Sequence, residues 1–461
     1  MKNDLIIEPS SFRDPQTQVF YRGNRVFRQI HISFADQFDG FIKSGLYKNL
    51  VDEGLMLPFK KVRKDSAIDK NAYCVIETEK IPFISYPYEW SFSQLKDAAL
   101  LTLKIQEVAL KYGFILRDSS AYNIQFLHGR PVLMDSLSLE TYKEGQPWVG
   151  YRQFCQHFLG PLALMSYKDL RLNKLFQANL DGIPMDLVNS LLPVTTWFDP
   201  RLLTHLHLHS KSQLRFSQSS KNIKNLKMKM GKHSLLAIVD SLKGTVDSLR
   251  VKLSRTEWSH YYSFTNYTQK SFGTKKKIIS TYLRMISPSS VWDLGANTGE
   301  FSRLASSSGI HTVAFDNDPL AVEKNYLEVK KNGEKNLLPL FLDLANPSPS
   351  LGWQSRERRS FLERGPADCI LSLALIHHLA IANNIPLKRI AEFMSQIGNF
   401  LIIEFVPKED SQTQILLASR EDIFDDYNRR SFESAFLDYF NIIKLQKIDS
   451  SERRLYCMKK I

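Results

Sequence analysis

With 461 residues, 43% of them hydrophobic, the chain is long enough for two or three domains with sizeable cores. It lacks an uninterrupted apolar run of membrane-span length, its N-terminus lacks an export-signal pattern, and Cys74, Cys155, Cys369 and Cys457 lie far apart without a C-x-x-C pair. The expectation is therefore a cytoplasmic protein with reduced thiols, no membrane span, no disulfide framework and no metal cluster. The formal charge of +13 is local: residues 201–250 carry 10 Lys and Arg against 2 Asp and Glu, and the flanking segments are close to balance. Such a basic connector is either a solvated tether or a holder of an anionic partner.

The first ninety residues read as a small β-rich lobe. Residues 18–21 and 25–32 flank Arg22-Gly23-Asn24, a hairpin signal, and a helix is expected over 38–53. Strand-like alternation returns at 73–78 and 81–86. Residues 94–111 then space Leu95, Ala98, Ala99, Leu101, Leu103 and Ile105 as a buried helix would.

Residues 112–135, YGFILRDSSAYNIQFLHGRPVLMD, contain Arg117-Asp118, Asn123 five residues after the aspartate, and an apolar strand ending at Asp135. Phosphoryl transfer uses one aspartate to orient the attacking hydroxyl, with an asparagine and a second aspartate on the metal-bound phosphates. Asp118, Asn123 and Asp135 thus resemble the catalytic loop and metal-binding aspartate of protein-kinase-like folds, and FISYPYEW at 83–90 resembles the hinge between their lobes. That resemblance implies Mg-ATP at the N-terminal domain. Several features depart from it: no glycine-rich phosphate loop is present, Lys43, Lys60 and Lys61 are only weak candidates for the nucleotide-pairing lysine, and Ser136-Leu137 replaces the usual Phe-Gly. The plain alternative is that Asp118 and Asn123 cap a turn and Asp135 ends a strand.

Residues 151–192 are helical and aromatic-rich, as a helical lobe would be, until Pro193 and Pro200 interrupt them. In THLHLHS, at 204–210, a strand would put His205, His207 and His209 on one face, either as zinc ligands or as an ordinary edge strand. Residues 211–232 form the basic linker, and 235–253 recover helical spacing in a segment able to dock two domains together. Residues 258–272 are aromatic and suit either a cover over a cofactor or a packing helix.

The chemistry-bearing stretch is VWDLGANTGE at 291–300: an apolar strand, then a turn with Gly295 and Gly299 where a tight bend and a close-lying ligand would exclude a Cβ. A second strand, 311–315, ends in Asp316, about twenty residues beyond the turn, the distance at which an acid can accept from ribose hydroxyls. A third run ends in Asp343, and a fourth, 368–374, leads to Leu375-Ile376-His377-His378. A fifth strand at 400–406 and a final pair at 441–448 and 453–458 complete the pattern of a doubly wound sheet closed by an antiparallel pair.

These residues resemble the class I S-adenosylmethionine-dependent methyltransferases over about 256–461. The resemblance implies that Asp293, Gly295, Asn297 and Gly299 form the first cofactor motif, with Asp316 the ribose acid and Asp343 the adenine-side acid. Asn297 stands where a dinucleotide-binding turn would place its second glycine. The expected fold is α/β: a C-terminal Rossmann-like seven-stranded methyltransferase sheet preceded by an α+β kinase-like two-lobed domain. The expected domains are 1–210, a linker and docking helix at 211–255, and 256–461. The layout as a whole resembles bacterial two-part proteins of the nodulation-protein-like methyltransferase type.

Methyl transfer from a sulfonium is an in-line displacement, so the protein chiefly aligns a nucleophile and removes its proton. His-His-Leu at 377–379 resembles methyltransferases of small-molecule and lipid-like acceptors rather than enzymes that methylate base or amide nitrogen. His377 and His378 are the candidate bases near neutral pH, or else pin the helix that follows. Glu404 and Arg420 are second candidates for the acceptor pocket. The expected function is methylation, at oxygen, of a small-molecule or glycan/lipid-like acceptor, with the N-terminal domain binding the acceptor or regulating. Two alternatives stand beside it: a bifunctional kinase/methyltransferase, and an RNA-associated protein whose basic linker holds nucleic acid.

Overall fold

Short alternating strands build the first half of the chain, and buried apolar strands the second. The computed structural model describes residues 5–63, 66–208, 230–251, 269–418 and 420–461. The chain divides into two units, Met1–Lys252 with Gly352–Arg358, and Leu253–Leu351 with Arg359–Ile461.

In the first unit, β1 (Leu5–Ile7), β2 (Thr17–Arg22), β3 (Arg25–His31), β4 (Phe59–Val62) and β5 (Ala72–Thr78) form an antiparallel sheet in the order β1-β2-β3-β5-β4. Phe20 stacks on Phe27 on one face, with Val75, while Ile30 and Ile76 meet Phe34 and Phe38 on the other. The helix expected over 38–53 is two helices, α1 (Ala35–Lys43) and α2 (Leu46–Asp52), broken at Gly45. The strand expected at 81–86 is not one, because Gln125 takes its hydrogen bonds: Ser85 N donates to Gln125 Oε1 at 3.0 Å, and Gln125 Nε2 to Ser85 O at 2.9 Å. The long helix α3 (Phe92–Lys111) starts at a capping box of Ser91 and Gln94, which satisfies two amide donors at its start.

Beyond α3, β6 (Phe114–Leu116) pairs with β9 (Leu139–Thr141), and β7 (Ile124–Leu127) forms a hairpin with β8 (Arg130–Leu133). The segment expected to dock two domains is α4 (Lys232–Ser248), which packs on α3, with Lys243 paired to Glu107. Lys111 and Lys243 together hold the Glu107 carboxyl down to about 2. The expected histidine strand is instead a helical turn, Leu203–Leu208. His205 lies 2.8 Å from both Tyr151 Oη and Ser241 Oγ, and His207 stacks on Trp197 with Nε2 3.0 Å from Thr196 Oγ1, so these rings are engaged by the protein. His209 and most of the linker and of the aromatic segment 258–272 fall outside the described residues. Among the described residues no group of three His, Cys, Asp or Glu is placed to hold a metal ion, and no helix is long and apolar enough to cross a membrane.

The second unit is a seven-stranded Rossmann-like sheet of β10 (Ser290–Leu294), β11 (His311–Asp316), β12 (Leu337–Phe341), β13 (Ala367–Ser372), β14 (Gly398–Phe405), β15 (Phe440–Lys447) and β16 (Arg454–Lys460). Their order, β12-β11-β10-β13-β14-β16-β15, is parallel except at β16, as the five βα steps and closing pair require. Ile278, Ile279, Tyr282 and Leu283 of α5 (Gln269–Ile286) bury one sheet face against Val291, Leu371, Ile402 and Leu455. Each such side chain contributes roughly 1.5–3 kcal/mol on burial. Strand order reverses at β10, and a reversal opens a crevice at the carboxyl ends of the strands.

Candidate functional site

At the end of β10 the chain turns through Gly295 (φ +73°), Asn297 (φ +49°) and Gly299 (φ +82°) into α6 (Ser302–Ser306). The amides of Gly295 and Ala296 both donate to Phe315 O at 2.9 Å, pinning the turn to β11. The protein by itself already demands glycine at 299. A Cβ there would sit 2.6 Å from Asn325 Nδ2 on α7 (Pro319–Asn332), and one at 295 would lie 3.3 Å from Leu375 Cδ1.

Asp316, the last residue of β11, accepts from Asn297 N at 2.7 Å and Asp318 N at 2.8 Å. Burial pushes its carboxyl up to about 6, against those backbone donors. Asp293, wholly buried within β10, accepts from Ser302 Oγ at 2.6 Å; burial pushes it up to about 7, with Ser302 and Lys275 opposing and Asp316 adding to the rise. Asp343 follows β12, half-buried, and accepts from Ala345 N at 2.9 Å; its neighbour Leu342 donates to Asp316 O at 2.8 Å. Asp293, Gly295, Asn297, Gly299, Asp316 and Asp343 therefore share the carboxyl ends of three adjacent strands, at the reversal point.

Past β13, Ala374 (φ +49°) turns the chain toward His377 and His378, whose ring centroids are 4.2 Å apart. Burial, with His378, Arg453 and Lys275 adding to it, holds His377 well below the usual imidazole range, and burial with Arg453 holds His378 down to about 4. Both rings are therefore neutral near pH 7, because an imidazolium would be desolvated beside cations. Among the described residues, neither ring nitrogen of His377 has a hydrogen-bond partner.

Of the ionic floor of this site the sequence pointed to Glu404 alone, and its partners Lys275 and Arg453 went unnoticed. Glu404, on β14 and fully buried, accepts from Lys275 Nζ of α5 at 2.6 Å and from Arg453 Nη1 at 3.5 Å. Arg453 in turn holds Asp410 through Nε at 2.7 Å and Nη2 at 2.9 Å. The Lys275 ammonium also lies 4.4 Å from the Phe301 ring centroid, and burial draws its pKa down against the pull of Glu404. One signal was available: Lys275 shares the apolar helical face of Ile278, Ile279 and Tyr282, though it opens a run of three lysines. Arg420 is not among these buried cations. It is exposed and straps the segment after β14 to Ile381 O and, at 2.7 Å, to Asn384 Oδ1.

In the first unit, Ser138 gathers the second set of candidates. Its carbonyl accepts from Arg117 N at 2.7 Å and Asp118 N at 3.4 Å, and its Oγ accepts from Asn123 Nδ2 at 3.3 Å. Asp118 Oδ1 also caps Ser120 N at 3.0 Å, the plain turn role. Asp135 Oδ1 accepts from Leu137 N at 3.0 Å and is ion-paired with Arg28 of β3. Burial pushes the Asp135 carboxyl up, but Arg28, Leu137 and Ser138 outweigh it and hold it below the usual range. The cation that meets Asp135 is thus an arginine, Arg28, and not one of the three lysines. Lys43, Lys60 and Lys61 are exposed on the surface, where Lys60 pairs with Glu77 at 3.2 Å and Lys43 and Lys61 face Asp39 at 3.7 and 3.9 Å.

No protein-family model matches the chain. In sequence it is 37% identical over 456 residues, 98% of this chain and 95% of the relative, to nodulation protein NoeA of Rhizobium meliloti (strain 1021). Among solved structures it is similar to magnesium protoporphyrin IX methyltransferase from Synechocystis PCC 6803 with bound SAH, at 16% identity, 43% of this chain, 89% of that chain and a TM-score of 0.31. It is also similar to the bifunctional kinase-methyltransferase WbdD, at 16% identity, 42% of this chain, 40% of that chain and a TM-score of 0.29.

Proposed function

We propose that this chain, which belongs to the family of the nodulation protein NoeA, transfers a methyl group from S-adenosylmethionine to a hydroxyl of a small-molecule or glycan/lipid-like acceptor. The observation that carries the reading is the bond between Asn297 N and Asp316, which fixes a ribose-accepting carboxylate beside a glycine turn where the strand order reverses. The donor set fits the cofactor. Asp316, oriented by two backbone amides, offers oxygens to two ribose hydroxyls; Asp343 stands one strand over for the adenine side, and the 295–299 turn takes the remainder.

S-adenosylmethionine supplies a methyl group that is already electrophilic. The chain's own task is alignment and proton management. One of the two neutral rings, His377 or His378, accepts the hydrogen bond of the acceptor hydroxyl, takes its proton as the new bond forms, and holds its oxygen in line. A weak base suffices for this, because the hydroxyl proton becomes strongly acidic as the new carbon–oxygen bond forms. Lys275, Glu404 and Arg453 keep the floor beneath them rigid and dry.

The first unit is read as a kinase-like domain that binds the acceptor or regulates. The gathering of Asp118, Asn123 and Asp135 around Ser138 supports a second reading, a bifunctional enzyme using Mg-ATP, in which the metal would have to displace Arg28 from Asp135. Calorimetry with S-adenosylmethionine and, separately, Mg-ATP tests both. Methyl-donor binding abolished in Asp316→Ala and kept in Asp135→Ala supports the methyltransferase; ATP binding lost in Asp135→Ala supports the second activity. Absence of methyl-donor binding to the unaltered chain removes the central reading.

A further inference from the structure

Four buried polar atoms at the carboxyl edge of the second sheet have no hydrogen-bond partner among the described residues: Ser372 Oγ, both ring nitrogens of His377, and Thr413 Oγ1. All three residues are wholly buried. Ser372 ends β13, between Leu294 of β10 and Ile403 of β14. His377 follows five residues later. Thr413 comes from α8 (Ser411–Ala418), which packs on the turn His378–Ala382 directly after His377.

A buried donor or acceptor left unpaired costs about 1–3 kcal/mol, so three such residues brought to one edge by three different segments require an explanation. The charges nearby are already committed: Glu404 to Lys275 and Arg453, and Arg453 to Asp410. What remains for a ligand is neutral hydrogen bonding from two hydroxyls, each donor and acceptor, and an imidazole with one donor and one acceptor. Such a set pairs with a polyol and leaves the charge of a carboxylate, phosphate or ammonium unmatched.

We propose that Ser372, His377 and Thr413 form the acceptor subsite, and that it recognises a neutral polyhydroxyl group, as on a sugar. The proposal rests on the methyltransferase reading above and names its substrate class. Because the three residues are covered, the acceptor enters when α8 lifts. The Asp410–Arg453 pair anchors the root of α8, Arg420 straps the chain just beyond it to the Ile381–Asn384 turn, and Thr413 closes with it over the bound group.

The test compares the full-length chain with Thr413→Val, an isostere without the hydroxyl, and with Thr413→Ser, which restores it. Three quantities are read: the thermal midpoint, SAH affinity by calorimetry, and binding of methyl glycosides of neutral hexoses against acetate, inorganic phosphate and ethylamine by ligand-observed NMR with SAH bound. Thr413→Val is expected to melt at or above the parent and keep its SAH affinity. It should lose about fivefold or more in glycoside binding, the worth of about one hydrogen bond, and Thr413→Ser should recover that loss. A lowered midpoint in Thr413→Val would mean the hydroxyl has a structural partner and would overturn the subsite. So would glycoside binding that is absent from the parent, unchanged in Thr413→Val, or exceeded by a charged probe. Failure of the parent to bind SAH is a different result, because it removes the methyltransferase reading itself.

Discussion

Asp293→Asn isolates the cost of the first motif's carboxylate. The side chain is wholly buried, and its carboxyl is pushed up to about 7, against roughly 3.9 in an unfolded chain. Between those values the native state holds a proton that the unfolded chain has released. Stability therefore falls as pH rises from about 4 to about 7 and is flat above. Three units at about 1.36 kcal/mol each set a ceiling of about 4 kcal/mol of destabilisation at pH 8. Asparagine keeps the shape and an oxygen for Ser302 Oγ but must bury an amide, which returns about 1–3 kcal/mol of that gain. The net expectation is a variant more stable than the parent by roughly 1–3 kcal/mol at pH 8 and no more stable at pH 4. Urea unfolding of both chains across that pH range, with the transition of the second unit followed separately from the first, gives the difference directly. A variant less stable than the parent at pH 8, or a difference that does not change with pH, would refute the reasoning.

Gly299→Ala should cost about 2–3 kcal/mol, from a positive φ and a Cβ 2.6 Å from Asn325 Nδ2 and 2.7 Å from Arg303 Nη1, and Asn325→Ala in the same chain should return only the Asn325 share of the steric part; an unchanged thermal midpoint would contradict this. Lys275→Met leaves Glu404 buried with one weaker partner and should cost about 3–5 kcal/mol, whereas Lys275→Met with Glu404→Leu, which leaves Arg453 on Asp410, should recover most of it. Equal losses in the single and double variants, measured by denaturant unfolding, would show that the pairing is not what matters. Arg28→Met removes the charge that holds Asp135 down, so burial alone then raises that carboxyl. Since both partners are partly exposed, the loss should be about 1–2 kcal/mol at pH 7, shrinking as acid protonates the raised carboxyl of the variant and vanishing only where the depressed carboxyl of the parent is protonated too. A loss that grows toward acid pH would contradict the assignment.

Local chemistry made much of this molecule legible from its residues alone. Apolar strands ending in Asp293, Asp316 and Asp343, a glycine turn between two of them, and a closing strand pair are signals read within a few residues of each other. Their order along the chain sets the order of the sheet through short right-handed crossovers. What pairs across the chain was not legible. Lys275 meets Glu404 across 129 residues and Arg28 meets Asp135 across 107, and both cations look like ordinary surface charges until the fold buries them. The same holds where tertiary contacts overrode local pattern. Gln125 took the hydrogen bonds that would have made 81–86 a strand, and packing around Trp197, Tyr151 and Ser241 turned an alternating Leu-His run into a helical turn. Strand ends and turns are decided by neighbours in sequence, so the sequence by itself located the carboxylates at the ends of the first three strands of the second sheet. Burial and ion pairing are decided by neighbours in space, so the charge state of the histidines, the ionic floor beneath them and the unpaired hydroxyls beside them belonged to the tertiary structure.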